Sequence, residues 1–267
     1  MLTNQTLERH ELKYTIPVEL IEPISRFIAP YCELDDHSAS APDGFYQVNS
    51  LYFDTQGSQF LKSRLWGSDN RFNMRARAYN DTPDTLVYLE VKHRRATNSK
   101  KYRAEIPIDH WPTVITDPSG YPPHNDTNLA LFQRLAESYA IQPKIFTQYR
   151  RRAFFSTIDT YTRITMDCAM KYRRQLPFVS EDPYSLCPCA ELSNYDNEMI
   201  YTDQESSADN VVLEIKCSVG FVPVWVLALI QTFQLKQVGF SKYMNSALVS
   251  AYDDGERYMS GERQAMY

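Results

Sequence analysis

Three times the chain places a glutamate two residues before a lysine inside a run with the composition of a β-strand: Glu11/Lys13, Glu90/Lys92 and Glu214/Lys216. A fourth run holds Arg75 and Arg77 in the same relation. Successive side chains of a strand point to opposite faces, so each pair shares one face. The residues between them, Leu12, Ala76, Val91 and Ile215, are apolar. The runs therefore predict strands with one apolar face and one crowded with charge. Such a face is either solvated surface or, if the sheet curls, the lining of a cavity.

Eight runs rich in β-branched and aromatic residues predict strands at Leu7–Ile16, Tyr46–Asp54, Arg71–Tyr79, Thr85–Arg95, Tyr102–Ile108, Lys144–Phe155, Tyr161–Met170 and Val211–Cys217. Short polar connections at Asn80–Pro83, Ala96–Ser99 and Ser156–Thr160 predict antiparallel neighbours. Helical spacing marks Pro17–Ile28 and Asn128–Tyr139, a leading proline suits the first turn of a helix over Pro223–Phe233, and Ser241 is placed to cap a last helix reaching about Tyr252. The Pro-, Asp- and Ser-rich stretches 112–127 and 177–210 do not divide the charged-face strands into two sets. One α+β domain over 1–267, mainly antiparallel, is expected.

A net charge of −5 gives no global field for nucleic acid, which excludes it as an expected partner. The cations are nonetheless clustered: Lys92, Arg94, Arg95, Lys100, Lys101 and Arg103 fall close together, and Arg150, Arg151 and Arg152 are consecutive. Local basicity on an acidic chain points to a small, highly charged anion. Five cysteines in a chain of this size make no disulfide framework, and Cys187-Pro188-Cys189 lacks the second pair a zinc site needs. The first eleven residues are polar and carry no secretory signal. The most apolar stretch, 219–235, is interrupted by Pro223, Gln231 and Gln234. A cytoplasmic protein is expected, reaching the inner face of a membrane only through a separate membrane-protein partner.

The charged faces recur on at least four strands. Closing such a sheet with its charges inward gives a cation-ringed passage, with the helices over the apolar outside. Burying unpaired cations costs several kcal/mol; a polyanionic ligand with divalent metal would compensate an inward ring, and hydrated interior space would lower the cost further.

The runs Arg9-His10-Glu11-Leu12-Lys13-Tyr14, Ser50-Leu51-Tyr52-Phe53-Asp54, Arg75-Ala76-Arg77, Leu89-Glu90-Val91-Lys92, Tyr149-x-Arg151-x-Ala153-Phe154, Arg163-Ile164-Thr165-Met166-Asp167, Leu213-Glu214-Ile215-Lys216 and Phe240-Ser241-Lys242-Tyr243 occur in that order. The ordered set resembles the VTC domain, the polyphosphate polymerase branch of the triphosphate tunnel metalloenzymes, over a core from about residue 7 to 252. The resemblance implies an eight-stranded antiparallel tunnel barrel with a basic interior and helices packed outside. It implies that Lys13, Arg75, Arg77, Lys92, Arg151, Arg163 and Lys242 act on phosphate. Arg64, Lys101 (or its neighbour Lys100), Lys216 and Ser241 are implied as further substrate contacts. Glu214 is implied as the metal-binding glutamate for Mn²⁺ or Mg²⁺, with Glu11 and Glu90 as accessory carboxylates. The chain departs from the pattern at Arg9, where the hydrolase branch has a first glutamate, and at Gly239, where polymerases can carry a lysine.

The expected activity is metal-dependent phosphoryl transfer, with polyphosphate made from ATP. A triphosphatase using the same residues on inorganic or nucleoside triphosphate, and a non-catalytic polyphosphate or nucleotide sensor, are the alternatives. ATP, triphosphate or polyphosphate is the expected partner, and the sequence leaves the oligomeric state open.

Overall fold

The computed structural model describes residues 9–79, 86–95, 98–121, 125–175, 182–186, 192–194, 210–218 and 222–253. The expected turn at Asn80–Pro83, residues 96 and 97 of the next turn, and the Cys187/Cys189 pair lie outside them.

Among the described residues ten strands pair into sheet: β1 (Arg9–Pro17), β2 (Cys32–Leu34), β3 (Tyr46–Asp54), β4 (Asn70–Ala78), β5 (Leu86–Arg95), β6 (Asn98–Pro107), β7 (Gln142–Ser156), β8 (Arg163–Arg174), β9 (Ser193–Asn194) and β10 (Asn210–Ser218). The α-helices among the same residues are α1 (Ile21–Ile28), α2 (Asp36–Ser40), α3 (Gln59–Leu65), α4 (Thr113–Thr116), α5 (Thr127–Ser138), α6 (Val224–Thr232) and α7 (Lys242–Asp253). All eight expected strands and all four expected helices are present. The architecture is α+β with a mainly antiparallel sheet.

The chain divides into two compact units. The first comprises Met1–Gln47, Tyr149–Met170 and Asn194–Ser241. Its strand order runs β1–β10–β8–β7, with β2 also on β7. Leu12, Tyr14 and Ile16 of β1 are in register with Ile215, Leu213 and Val211 of β10. This apolar face packs on Ile21, Ile24 and Ile28 of α1 and on Trp225, Val226 and Leu229 of α6. Ile24 and Ile28 have no solvent exposure, and burial of each stabilises the unit by about 1.5–3 kcal/mol.

The second unit comprises Val48–Gln148, Lys171–Ser193 and Lys242–Tyr267. Its order is β7–β3–β4–β5–β6. Met74, Ala76 and Ala78 on β4, Val87, Leu89 and Val91 on β5, and Ala104 and Ile106 on β6 bury against Leu129 and Phe132 of α5. Alanines on the strands let the helix approach closely. Asp126 starts α5 by accepting from the Asn128 and Leu129 amides.

The closed barrel expected from the resemblance is not formed among the described residues. The pairing path starts at β1 and ends at β6. Residues 237–240 occupy the outer edge of β1: Tyr14 bridges Gln237, and the Val238 amide donates to the Lys13 carbonyl at 2.8 Å. On β6, the Asn128 side chain of α5 donates to the Arg103 carbonyl at 2.8 Å, taking up a backbone acceptor. No helix among the described residues is long and apolar enough to cross a membrane.

Candidate functional site

Strand register assembles the charged residues into rungs. In the second unit Tyr52, Arg75, Glu90 and Arg103 lie side by side across β3, β4, β5 and β6. The rung on one side joins Ser50, Arg77, Tyr88 and Glu105. The rung on the other joins Asn73, Lys92 and Lys101. All of these residues share the face opposite the apolar core, as the period-two reading requires.

Glu90 is the electrostatic centre of that face. Arg75 places both Nε and Nη2 on its Oε2, at 2.7 and 2.6 Å. Lys101 Nζ lies 2.5 Å and Arg103 Nε 3.3 Å from Oε1. Burial by itself would raise the Glu90 pKa, but Arg75, Arg77 and Lys101 outweigh it and hold the carboxyl well below the usual range. Glu90 therefore stays ionised and cancels part of the surrounding positive charge. Arg77 is buried and donates from Nε to Ser50 Oγ at 3.2 Å. Tyr79 accepts from Arg103 Nη2 at 2.8 Å, and the Arg103 guanidinium sits 3.8 Å from the Tyr88 ring centroid.

Burial pushes Tyr79 up, yet Arg77 and Arg103 overcome it and bring the phenol down to about 8. Lost hydration lowers Lys101; Glu90 opposes that and Arg75 and Arg77 add to it, leaving the ammonium at about 8. Lys242 begins α7 directly after Ser241, and its charge, after those of Arg75 and Arg77, helps hold Tyr52 below its ordinary value against burial. Lys92 is exposed beside Asn73 and Lys101. Arg64 comes from α3, half-buried, so strand register does not fix its place.

The first unit repeats the arrangement with other partners. Lys13, Glu214 and Thr165 form one rung and Glu11, Lys216 and Arg163 the next. Glu214 is buried, with Lys13 3.2 Å from Oε2 and Lys216 2.8 Å from Oε1. Lys13 also donates to the Phe240 carbonyl at 3.1 Å. The three consecutive arginines separate cleanly. Arg151 makes a bidentate pair with fully buried Asp167, at 2.6 and 2.8 Å. Arg150 turns to Asp43, and Arg152 to Glu22 and the Asp43 carbonyl. Arg163 donates to Asp35 at 3.1 Å, and Asp35 in turn caps α2 through the Ser38 amide.

The register thus brings Arg75, Arg77, Lys92, Lys101 and Glu90 together in one unit, and Lys13, Lys216, Arg163, Glu214 and Glu11 in the other. Sequence reasoning placed Arg103 in the basic cluster but not among the site residues, although Lys101, Arg103 and Glu105 alternate with Tyr102, Ala104 and Ile106 in the pattern that exposed the other strands. Asp35, Asp54 and Asp167 were also missed as supporting carboxylates. Cys32, Cys168 and Cys217 are free thiols, and no group of three or more His, Cys, Asp or Glu able to hold a metal occurs among the described residues.

The sequence matches the VTC domain over residues 8–250, and the chain belongs to that family. Solved structures with a similar course include a candidate adenylate cyclase from Bacillus halodurans, at 10% identity and a TM-score of 0.49, covering 88% of this chain and 96% of that one. The PH1819 protein from Pyrococcus horikoshii OT3 matches at 10% identity and a TM-score of 0.42, over 90% of this chain and 99% of that one. The Mimivirus capping enzyme triphosphatase matches at 12% identity and a TM-score of 0.33, over 86% and 89%. A comparison with curated proteins gives no match.

Proposed function

We propose that this protein is a phosphotransferase that makes polyphosphate from ATP. The observation that carries the reading is the run of adjacent rungs on one face, where Arg75, Arg77, Lys92, Lys101 and Arg103 share the side of the sheet that holds one buried carboxylate, Glu90. A cation excess of that density suits a chain of phosphates, each of whose oxygens meets a fixed donor. Lys13, Lys216, Arg151 and Arg163 supply the corresponding charges of the first unit, and Lys242, Ser241 and Arg64 further contacts. Ser241 stands ahead of the first turn of α7, where backbone N–H groups favour an anion.

In this reading an acceptor phosphate oxygen bonds to the γ-phosphorus as the β–γ bridging P–O bond breaks. ADP departs with the electron pair. The chain's contribution is positioning and neutralisation: the guanidinium forks hold the equatorial oxygens and offset the charge that spreads over them.

A metal fits only with the substrate. Glu90 is surrounded by three cations and Glu214 by two lysines, while Glu11 lies opposite Lys216. Mg²⁺ and similar ions commonly bind through one or two carboxylates plus substrate phosphates. Glu214, with Glu11 on the neighbouring rung, would hold such an ion, and the ion would withdraw charge from the phosphate oxygens. Glu90 serves the cations instead.

The reading is tested by incubating the protein with ATP and Mn²⁺ and resolving the products. Long phosphate chains with ADP are expected. Free phosphate alone would replace the proposal with a triphosphatase, and tight binding without turnover would replace it with a sensor.

A pH dependence follows from the same rungs. Below about 8, Lys101 is charged and Tyr79 neutral; above it, Lys101 loses its charge and Tyr79 gains a negative one. Both changes weaken anion binding, so tripolyphosphate affinity measured by calorimetry should fall as pH rises through 8. Lys101→Arg combined with Tyr79→Phe should flatten that fall. An unchanged slope in the double variant would remove both residues from the binding site.

A further inference from the structure

Asp54 ends β3 with no solvent exposure, and it ties three elements of the second unit together. Its Oδ1 accepts from the Thr55 and Phe60 amides at 2.7 and 2.9 Å, and its Oδ2 from the Leu61 amide at 2.9 Å, which secures the start of α3. Oδ2 also receives the Tyr243 hydroxyl of α7 at 2.6 Å. The Tyr243 ring lies stacked on Tyr52, with centroids 5.3 Å apart and an interplanar angle of 21°. Tyr52 in turn accepts from Arg75 Nη1 at 3.0 Å.

We infer that Tyr243 is a positioning residue for phosphate binding, acting through the Tyr52 ring to hold Arg75 and setting the first turn of α7, from which Lys242 projects. The inference rests on the reading of Arg75 as a phosphate contact. Its physical basis is the restriction on Arg75. Glu90 fixes Nε and Nη2, while the Tyr52 hydroxyl fixes Nη1. Carboxylate and phenol therefore together set the plane of the guanidinium. The phenol stays in place because its ring stacks on Tyr243 in a buried cluster that also holds Ile145, both nearly excluded from solvent. Asp54 keeps Tyr243 from sliding along that ring. Since α3 starts at the same carboxylate, Arg64 shares the anchor. The sequence hides this chain because Asp54 and Tyr243 are 189 residues apart.

The test is a double-mutant cycle read by tripolyphosphate affinity, with thermal stability measured in parallel. Tyr243→Leu and Tyr52→Phe are each expected to weaken binding about tenfold, the scale of a misplaced but still present group. If both act through Arg75, the double variant should also lose about tenfold, not a hundredfold. A merely structural role would lower the melting temperature in both backgrounds without this non-additivity. Should Tyr243→Leu not fold, Tyr243→Phe keeps the ring and removes only the hydroxyl; a loss of about threefold that disappears in the Tyr52→Phe background is then expected. Additive losses, or unchanged affinity in the Tyr243 variants, would overturn the inference. Arg75→Ala is the control for the underlying reading. If it leaves affinity unchanged, the phosphate assignment fails; if it weakens binding while the Tyr243 variants do not, only the positioning role fails.

Discussion

Arg77→Ala is expected to lower turnover by about 10²–10³-fold, the scale for removing one charged donor from a group-transfer site. Arg77 suits this test better than its neighbours. It is 5% exposed, and the hydrogen bond its Nε makes is to a neutral hydroxyl, that of Ser50. Truncating Arg75 would instead remove two contacts from the buried carboxylate of Glu90. Arg77→Ala also removes a cation that helps hold Glu90 ionised and Tyr79 low, so its melting temperature should fall moderately, while turnover, measured below that temperature, collapses. Arg77→Lys should recover little of the loss, because a point charge on a flexible stem cannot reproduce a planar fork. Full turnover in Arg77→Ala, measured on protein shown to be folded, would exclude this face from the reaction.

The faces of the strands were legible because a period of two leaves no freedom in which residues share a side. Arg75, Arg77, Glu90 and Lys92 needed only that rule, and Tyr46–Asp54 was predicted with the boundaries it has. Helix α5 was readable from its apolar spacing and α7 from Ser241, which precedes it, whereas the cap of α5, Asp126, was not singled out. The short helices α2 and α3 were not. They are 5 and 7 residues long, too short for a periodic signal, and each depends on a buried aspartate, Asp35 or Asp54. The β6 boundary slipped by a few residues because Asn98-Ser99-Lys100-Lys101 has a polar, turn-like composition. Pairing with β5 overrides it.

What escaped the sequence has one origin: contacts between residues far apart in the chain. Register places Arg103 beside Glu90, and Asp167 selects Arg151 from three consecutive arginines. The lie of residues 237 and 238 along β1 is another such contact, which no local pattern encodes. The carboxylates also changed meaning once their neighbours were known. Three Glu-x-Lys pairs look alike in sequence. In the fold, Glu214 is held by Lys13 and by its own Lys216, whereas Glu90 is held by arginines and a lysine from β4 and β6.

That distinction makes Glu90→Gln the most informative stability variant. The substitution keeps shape and hydrogen-bonding capacity but removes the charge that compensates Arg75, Lys101 and Arg103. Deleting one member of a buried ion pair costs about 3–5 kcal/mol; the three cations here are partly hydrated, with side chains 23–46% exposed, so the loss should be nearer about 2–3 kcal/mol. The sign of the pH dependence is fixed by the lowered pKa. Because the folded-state value of Glu90 lies below its unfolded value, its contribution is complete above the ordinary carboxylate range and disappears as pH falls through the folded-state value. The parent should therefore lose stability on acidification more steeply than Glu90→Gln. Tripolyphosphate should restore more stability to the variant than to the parent, since the ligand then supplies the missing negative charge. A metal-ligand role predicts a different result: Glu90→Gln would raise the Mn²⁺ concentration needed for turnover without a matching loss of stability in metal-free protein. Denaturant unfolding with and without tripolyphosphate, in the absence of metal, separates the two.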